Sequence, residues 1–536
     1  MVVAMVAVAW TMGLLIGMGY TVHIMSSMIP VFLMPIAVLD SVHILSEFYD
    51  RYPRIGDRRE TLRQTMDCLW TPLLYTSVTS AVGFGSLMLA PIPPVRVFGG
   101  FVAFGIMSAW LLTITFIPAS IMLMREERLR ASLRDVGETP GLLTRLLGAF
   151  GRAVLTWRRA IALASVLLLA LGAFGVSRIV VNDNPVNWFA EGHRLRIADD
   201  EMNRLFGGTY MAYLVLEGKE AGAIKRPQVM GYVAELQRVL EQDPVVGKTS
   251  SVADIVGQVG TVLHDGDPAY RTVPSNPEEL AQYLFLFQMS GDPGDLDDFV
   301  DYDYRLANIW VQMKRGDNRD MKRVERSVGA FMAEKPAPAG ITVRWSGLTY
   351  INKVWQEQMV VGMRNAILGG FAAVFLLMVI LFRSLPLGLI SMLPLTFAIV
   401  LSYGLVGLVG KDYDMPIAVC SSLALGLSID FAIHFVQRFR IRLTTGSDMQ
   451  AASRYVFGEP ARAIARNAVV IILGFLPMVL ATLTPYKTVG AFFALLMTFS
   501  AITTLALLPG LLHMTAERFW RVSSAGVLEQ TSGGNS

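Results

Sequence analysis

Two aspartates lie within apolar stretches of the sequence, where ionisable side chains are rare. Asp40 lies in PIAVLDSVHILSEF and Asp430 in LGLSIDFAIHFVQRF. An ionised carboxylate near the centre of a membrane-spanning helix costs about 2.5–3.5 kcal/mol, so such residues usually face an interior or a water path and serve a function. A carboxyl group that alternates between charged and neutral forms carries protons. The two residues therefore predict a proton relay. The alternative is a pair of protonated acids that only hydrogen-bond between helices.

A histidine follows each aspartate on the same helix face. His43 comes three residues after the first aspartate and His434 four residues after the second. Side chains three or four residues apart are neighbours on a helix, so both histidines are candidates to support the relay. Ser41 is a further candidate. The alternative for each histidine is a position near a helix end, where a backbone carbonyl or a lipid headgroup satisfies the ring.

The apolar stretch 72–90 has one polar face, formed by Thr76, Ser77, Thr79 and Ser80. Hydroxyl groups in membrane helices usually pack against neighbouring helices or bond to backbone carbonyls, and we expect this of most of the four. We name Thr79 as a candidate to support the acids.

The sequence contains no recognisable motif of an enzyme active site or a metal site. Two aspartates and two histidines on facing helices could hold a metal, but no supporting ligand spacing such as HExxH occurs. There is no G-x-S-x-G elbow and no Walker motif. The two cysteines, Cys68 and Cys420, predict neither a disulfide nor a metal site. We therefore expect no enzyme activity, no metal and no cofactor, and an ion gradient as the energy source, worth about 2.3 kcal/mol per charge and 100 mV.

The composition predicts a membrane protein. Of 536 residues, 53% are hydrophobic and 17% charged, and the mean hydropathy is +0.48. The net charge of +3 gives no global basic field to attract nucleic acid. Apolar runs of about 18 to 25 residues are long enough to cross a membrane as helices. We expect ten, at 2–20, 25–47, 72–90, 97–123, 160–180, 362–382, 387–409, 415–437, 466–483 and 488–514.

Arginines concentrate in alternate loops, which predicts an orientation. The loop after Phe48, the segment 125–159 and the loop after the span at 415–437 are arginine-rich, whereas the short loops that alternate with them have only Arg96, Lys411 and Lys487. By the positive-inside rule, the arginine-rich loops and both termini are cytoplasmic, and the polar insertion 181–361 lies outside.

The polar insertion predicts a small α/β domain. Strand-like and helical stretches alternate in it as two strand–helix–strand units, which favours a ferredoxin-like split arrangement. The stretch 250–300 is rich in Pro, Gly and Asp and predicts loops with short helices. The predicted strands are 209–218, 305–316 and 340–347, and the predicted helices 225–242 and 320–334.

The chain contains an internal repeat with a shift of 391 residues, the difference between 434 and 43. Helix-breaking Gly and Pro that recur in step indicate duplicated helices. In this register the spans at 160–180 and 362–382, and the insertion between them, have no partner in the first repeat, so we expect roughly 230 further residues upstream. The aligned pairs are His43 with His434, Phe48 with Phe439, Gly83 with Gly474, Gly99 with Gly490, Thr113 with Thr504 and Pro118 with Pro509.

Several motifs resemble the resistance–nodulation–division superfamily, and within it the MMPL and hydrophobe/amphiphile-exporter-3 branch, which is related to the sterol-sensing-domain proteins. GLSIDFAIHFVQRFR (426–440) and its partner AVLDSVHILSEF (37–48) carry the resemblance. So do GFGSL…RVFGGFVAFG (83–105) and its echo GFLPM…KTVGAFFAL (474–495). FRSLPLGLISMLP, which begins at Phe382, and NDNPVNWFAEGHRL, which begins at Asn182, also look like that family.

The resemblance implies a polytopic α-helical membrane protein with one extracytoplasmic α/β, ferredoxin-like porter domain. Family members have twelve spans and two porter domains, and transport is coupled to protons through acids on spans four and ten, which match the helices of Asp40 and Asp430. The family commonly has Asp-Asp on span four, where this chain has Leu39-Asp40. The implied organisation is spans 3–6 at 1–124, a cytoplasmic linker at 125–159, span 7 at 160–180, the porter domain at 181–361, spans 8–12 at 362–514 and a cytoplasmic tail at 515–536.

The implied function is export, driven by the proton-motive force, of hydrophobic or amphiphilic molecules, lipids first among them, across a bacterial-type inner membrane. The partners are membrane lipid, the substrate and protons, with no nucleic acid, and homo-oligomerisation is left open. The drug-efflux branch uses a lysine on span ten, and 415–437 contains none, which favours the lipid-directed branch. Two alternatives stay open: a lipid- or sterol-sensing receptor without net transport, and a truncated, non-functional product.

Overall fold

The computed structural model describes residues 1–125, 142–290, 292–444 and 455–519. Most of the predicted tail and part of the predicted linker therefore lie outside the described residues. The chain forms two compact units, one of Met1–Val181 with Gln358–Ser536 and one of Asn182–Glu357. The second unit falls within the insertion predicted at 181–361.

The first part of the chain is helical. Long, mostly apolar sequences form these helices, and local residues set their ends. Helix α1 ends just before Gly19, which has a φ of +83°. Helix α3 begins after Asp57, an N-cap whose carboxylate accepts a hydrogen bond from the backbone N–H of Glu60 at 2.6 Å. The helices are α1 (Val2–Gly17), α2 (Ile29–Ile55), α3 (Arg58–Gly85), α4 (Pro93–Leu123), α5 (Leu142–Thr156) and α6 (Arg158–Ser177).

The second unit combines helices with a four-stranded sheet. Its elements are α7 (Arg194–Phe206), β1 (Tyr210–Gly218), α8 (Pro227–Glu241), β2 (Val246–Ser250), α9 (Val252–Leu263), α10 (Pro277–Ser290), β3 (Leu306–Met313), α11 (Asn318–Glu334) and β4 (Ile341–Ser346).

The sheet has the strand order β2-β3-β1-β4, with each pair of neighbours antiparallel. This order with two crossover helices is the ferredoxin-like split arrangement, so the predicted fold class is confirmed. The helices cover one face of this sheet. Alternate residues of β3 are buried on that face: Ala307, Ile309, Val311 and Met313. Strand β2 was missed by the sequence analysis, since VGKTS has neither an apolar run nor a clear alternation.

The remaining helices are α12 (Leu348–Phe382), α13 (Leu385–Val409), α14 (Met415–Thr444), α15 (Glu459–Phe475) and α16 (Thr484–Phe519). Within the described ranges, nine helices are long and apolar enough to cross a membrane. The sequence predicts ten. The difference is α1, whose 16 residues reach about 24 Å, less than the roughly 30 Å of a hydrocarbon core.

The sequence repeat is also a repeat of contacts. A Cβ atom added to Gly99 would lie 2.6 Å from the carbonyl oxygen of Phe84, and one added to Gly490 would lie 2.9 Å from that of Phe475. Each member of the first pair is 391 residues before its counterpart in the second. The two α3–α4 and α15–α16 corners are therefore packed in the same way, as duplicated helices require.

Helices α6 and α13 approach each other through glycines. Added Cβ atoms at Gly175 and Gly407 would overlap the backbone of the facing helix, and one at Gly404 would lie 2.5 Å from the carbonyl oxygen of Gly172. Small residues spaced three apart on both helices allow this close backbone contact, which replaces hydrophobic burial as the source of attraction between helices in lipid.

We predict that Gly175→Ala destabilises the protein by about 1–3 kcal/mol, because the new methyl group must displace the backbone of Gly404. Chemical unfolding in detergent micelles measures this loss. Gly13→Ala is the matched control, since its added Cβ meets no atom within 4 Å. Equal stability of the two variants would contradict the close helix contact.

Candidate functional site

Helices α2 and α14 carry the two aspartates and the two histidines singled out for a proton relay. Asp40 is 8% exposed, Asp430 5% and His43 9%, so these three side chains are buried, and His434 is partly buried. The two aspartates are therefore enclosed by protein, although both helices are mostly apolar.

The two histidine rings stack on each other. Their centroids lie 4.2 Å apart with an interplanar angle of 23°. Because His43 and His434 are equivalent positions of the repeat, each helix contacts its own counterpart at this point. A pseudo-two-fold axis therefore passes between the rings, and α2 and α14 face each other there without an intervening helix.

The two aspartates differ in their hydrogen bonds. The Ser77 hydroxyl on α3 donates to Asp40 Oδ2 at 3.0 Å. Asp430 Oδ1 is buried and has no hydrogen-bond partner among the described residues. One of the two carboxyl groups is thus anchored, and the other has an oxygen without a hydrogen-bond partner among the described residues. Proton sharing between the two carboxyl groups stays a prediction.

Ser77 takes the place that the sequence analysis gave to Thr79. The Thr79 hydroxyl donates to the carbonyl oxygens of Tyr75 and Thr76 at 2.8 and 2.9 Å, within its own helix. The Ser41 hydroxyl likewise donates to the carbonyl oxygen of Ala37, at 3.4 Å. Such back-bonding is the usual use of a hydroxyl inside a helix. The one-face pattern of 72–90 did not show which hydroxyl points at α2.

An ion pair lies one helical turn beyond the stacked histidines. Glu47 on α2 is bonded to Arg438 on α14 at 2.6 Å and to Arg51 at 2.6 Å. Glu47 and Arg438 are themselves repeat-equivalent, 391 residues apart. Among the predictions from the sequence, Arg438 is only a loop arginine and Glu47 has no role. The signal was present, because the repeat register places opposite charges at equivalent positions four residues after each histidine.

The histidines also differ in their partners. Asn467 of α15 lies with its amide Nδ2 2.6 Å from His43 Nε2. His434 Nε2 is buried and has no hydrogen-bond partner among the described residues. The repeat counterpart of Asn467 is Thr76, and its hydroxyl donates to the carbonyl oxygen of Leu73 instead.

Two adjoining cavities lie near the ion pair. The first, with a volume of about 30 Å³, is lined by both histidines, Glu47 and Arg438 among others. The second, of about 380 Å³, shares Asp50 and Arg438 with the first. Polar side chains therefore extend from this wide, arginine-lined cleft past the ion pair to the imidazoles, whereas Asp40 and Asp430 are not among the residues that line either cavity.

The other end of α14 is fixed by Asp414. Its carboxylate accepts the backbone N–H of Ile417 at 3.2 Å and pairs with Lys411 at 2.5 Å. Burial raises the pKa of Asp414, and Lys411 partly offsets this. This N-cap fixes the residue at which α14 begins. It therefore also determines which residues of α14 lie at the pseudo-two-fold axis between the two helices.

The chemistry of the site is that of groups that exchange protons. Carboxyl groups and imidazoles lie on α2 and α14, beside an amide of α15, and each can accept or donate a hydrogen bond. In the described part of the chain, no group of three or more His, Cys, Asp or Glu side chains could hold a metal ion.

Comparisons with known proteins agree with this architecture. A sequence profile of the MMPL family matches residues 192–530, more than half of the chain. The chain belongs to the MMPL family. A profile of the Patched sterol-sensing domain matches residues 1–124. The superfamily resemblance of the sequence motifs is thereby confirmed, and with it a multi-pass membrane protein of the transporter class.

Three relatives are similar over parts of the chain. The membrane protein MJ1562 of Methanocaldococcus jannaschii is 26% identical over 320 residues, which is 58% of this chain and 79% of the relative. MmpL12 of Mycobacterium tuberculosis, named a probable transport protein, is 24% identical over 199 residues, 36% of this chain and only 17% of the relative. The membrane protein SCO0839 of Streptomyces coelicolor is 29% identical over 144 residues, 26% of this chain and 20% of the relative.

We predict strong coupling between Glu47 and Arg438. Removing Glu47 takes one carboxylate from both Arg51 and Arg438, and removing Arg438 leaves Glu47 with Arg51 as its ion-pair partner. Loss of one partner of a buried ion pair costs at most about 3–5 kcal/mol, whereas Glu47→Gln with Arg438→Gln removes both charges. The double variant should therefore be more stable than the sum of the single losses implies, by about 1 kcal/mol or more. Unfolding of the three variants in detergent measures this coupling.

The exposed pair Glu60–Arg63, at 2.8 Å, provides the control cycle. We expect its coupling to be much smaller, because solvent screens surface pairs. Additive losses at Glu47 and Arg438 would show that the pair does not connect α2 to α14.

Proposed function

We propose that the protein is a transporter, driven by the proton-motive force, that exports hydrophobic or amphiphilic molecules, lipids first among them. The observation that carries this proposal is the buried pair of Asp40 and Asp430 on facing helices, one bonded to Ser77 and the other with a free carboxyl oxygen. A buried carboxyl group without a structural partner costs stability, and retaining it is explained by a role in proton transfer.

In the proposed relay, a proton travels along the cavity past the Glu47–Arg438 pair. His43 and His434 can pass it on, because imidazole can hold a proton on either nitrogen. Asp430 accepts it on its free oxygen, and Asp40 shares in the exchange while Ser77 orients its carboxyl group. Each proton moved down a potential of 100 mV supplies about 2.3 kcal/mol.

We propose the orientation that the arginine distribution indicates. The protein lies in the cell inner membrane, the arginine-rich loops and the termini are cytoplasmic, and the ferredoxin-like unit is extracytoplasmic. The wide cleft then opens at the cytoplasmic end of α2 and α14, since its arginines belong to those loops.

The ferredoxin-like unit is proposed to handle the amphiphile. Helix α7 has no buried residue, and its apolar side chains Leu195, Met202, Leu205 and Phe206 are 46–65% exposed within the described residues. Exposed apolar surface of this kind marks an interaction site for an apolar molecule or surface.

A receptor of the sterol-sensing type is the second candidate. The match of 1–124 to the Patched sterol-sensing domain favours it, and it uses the same helices. The two candidates differ in energy coupling: a transporter moves its substrate at a rate that depends on the proton gradient, whereas a sensor binds lipid without net flux.

We predict that Asp430→Asn abolishes movement driven by a pH gradient while expression stays near normal, because asparagine keeps the volume and removes the exchangeable proton. Asp40→Asn should have the same effect. The assay uses the full chain in proteoliposomes with an imposed pH gradient, an internal pH-sensitive dye and a panel of fluorescent phospholipids and fatty acids.

Asp67→Asn is the matched control, since the Asp67 side chain is 70% exposed. Full transport by either relay variant would refute the relay. Lipid binding without gradient-dependent flux in the unmodified protein would instead favour the sensor.

A further inference from the structure

The wide cleft at the end of α2 and α14 is strongly basic. Of its lining residues, Arg51 and Arg54 come from α2, Arg438 from α14 and Arg462 from α15, and Asp50 is the one acid among those described. The cleft volume of about 380 Å³ is within the range of small-molecule sites, about 300–1,000 Å³.

The acids nearby do not neutralise this cleft. Glu47 is shared by Arg51 and Arg438, and Asp50 pairs with Arg466 at 3.5 Å. Five guanidinium groups thus face two carboxylates, which leaves an excess of three positive charges in the described surroundings of one concave site. A concave site that concentrates one sign of charge attracts ligands of the opposite sign.

Arg462 adds an observation of a different kind. Its Nε is buried and has no hydrogen-bond partner among the described residues, although a buried donor without a partner is costly. The guanidinium group presents donors in a planar fork that matches two oxygens of a phosphate or carboxylate. Gln64 and Tyr455 line the same cleft and offer neutral hydrogen-bonding groups.

We propose that this cleft binds a phosphate group. Phosphate fits better than a single carboxylate, because three excess positive charges suit a ligand with more than one negative charge and several acceptor oxygens. The group can belong to a phospholipid headgroup or to a soluble phosphate compound. This binding does not depend on the proposed transport activity, although it adjoins the relay through Arg438, which lines both cavities.

The first experiment titrates inorganic pyrophosphate into the full chain in neutral detergent at constant ionic strength, followed by calorimetry. We expect saturable binding at one site, weakened about tenfold or more in the variant Arg54→Gln with Arg462→Gln, since two charge-assisted contacts are lost. Arg59→Gln with Arg96→Gln is the matched control. It makes the same change in net charge at two exposed residues outside the cleft, and we expect its affinity to be unchanged.

The second experiment identifies the source of the phosphate. Dihexanoyl phosphatidic acid, used below its micelle concentration, competes with pyrophosphate if the site accepts a lipid headgroup, and dihexanoyl phosphatidylcholine tests whether the headgroup charge matters. Competition by phosphatidic acid supports a lipid ligand, and binding of pyrophosphate alone supports a soluble one.

Three results would overturn the proposal: no saturable binding of either probe, equal weakening in both double variants, or full affinity in the cleft variant. If the cleft variant does not fold, the single variant Arg54→Gln tests the proposal instead, because Arg54 is exposed and its replacement should not disturb folding. We expect it to bind pyrophosphate about threefold more weakly than the unmodified protein, and unchanged affinity would count against the site.

Discussion

The packing of this bundle depends on one constraint, that ionisable side chains on α2 and α14 are enclosed by apolar helices and need partners there. The histidine stack and the Glu47–Arg438 pair meet that need across the interface between the two helices. Neighbouring helices complete it, since α3 supplies Ser77 to one aspartate and α15 supplies Asn467 to one histidine. Helices α3 and α14 therefore pack closely. Glycines at their contact make this possible, because a Cβ atom added to Gly83 would lie 2.7 Å from the backbone nitrogen of Gly426.

Duplication explains why this constraint could not be met by identical halves. A two-fold axis between α2 and α14 brings each axial residue against its own counterpart. Two histidines can stack there, but two glutamates or two arginines one turn further on would repel each other. The repeats have diverged to Glu47 and Arg438 at that position, which turns a repulsion into an ion pair. The repeats also differ at the acids, since Asp40 accepts a hydrogen bond from Ser77 whereas Asp430 Oδ1 has no partner among the described residues. Charge pairing on a duplicated backbone thus explains the difference between Glu47 and Arg438, and the aspartates add a second asymmetry.

Sequence reasoning predicted what depends on pattern along the chain. Hydrophobic runs located the long spans, alternation located β1 and β3, and rare acids in apolar runs led to Asp40 and Asp430. It failed where the outcome depends on rotation or on contacts distant in sequence. Which hydroxyl of α3 reaches Asp40 depends on how that helix is turned, and a polar face of four hydroxyls does not settle it. The pairing of Glu47 with Arg438 needed the repeat register to be applied to charges as well as to Gly and Pro.

The enclosure of α14 limits how a proton can reach Asp430. The apolar core of this helix is buried throughout, whereas that of α6 is mostly exposed. A proton cannot cross the apolar side chains around α14, because an isolated charge in such surroundings is far too costly. It needs polar groups in sequence, and His434 stands four residues before Arg438 on the same face of α14, beside the cavity that joins the arginine cleft. In the proposed relay the charge of Arg438 lies on that route, so its pairing with Glu47 lowers the electrostatic cost of moving a proton past it. The proposal thus gives the ion pair that stabilises the interface a second role, the control of access to the acids.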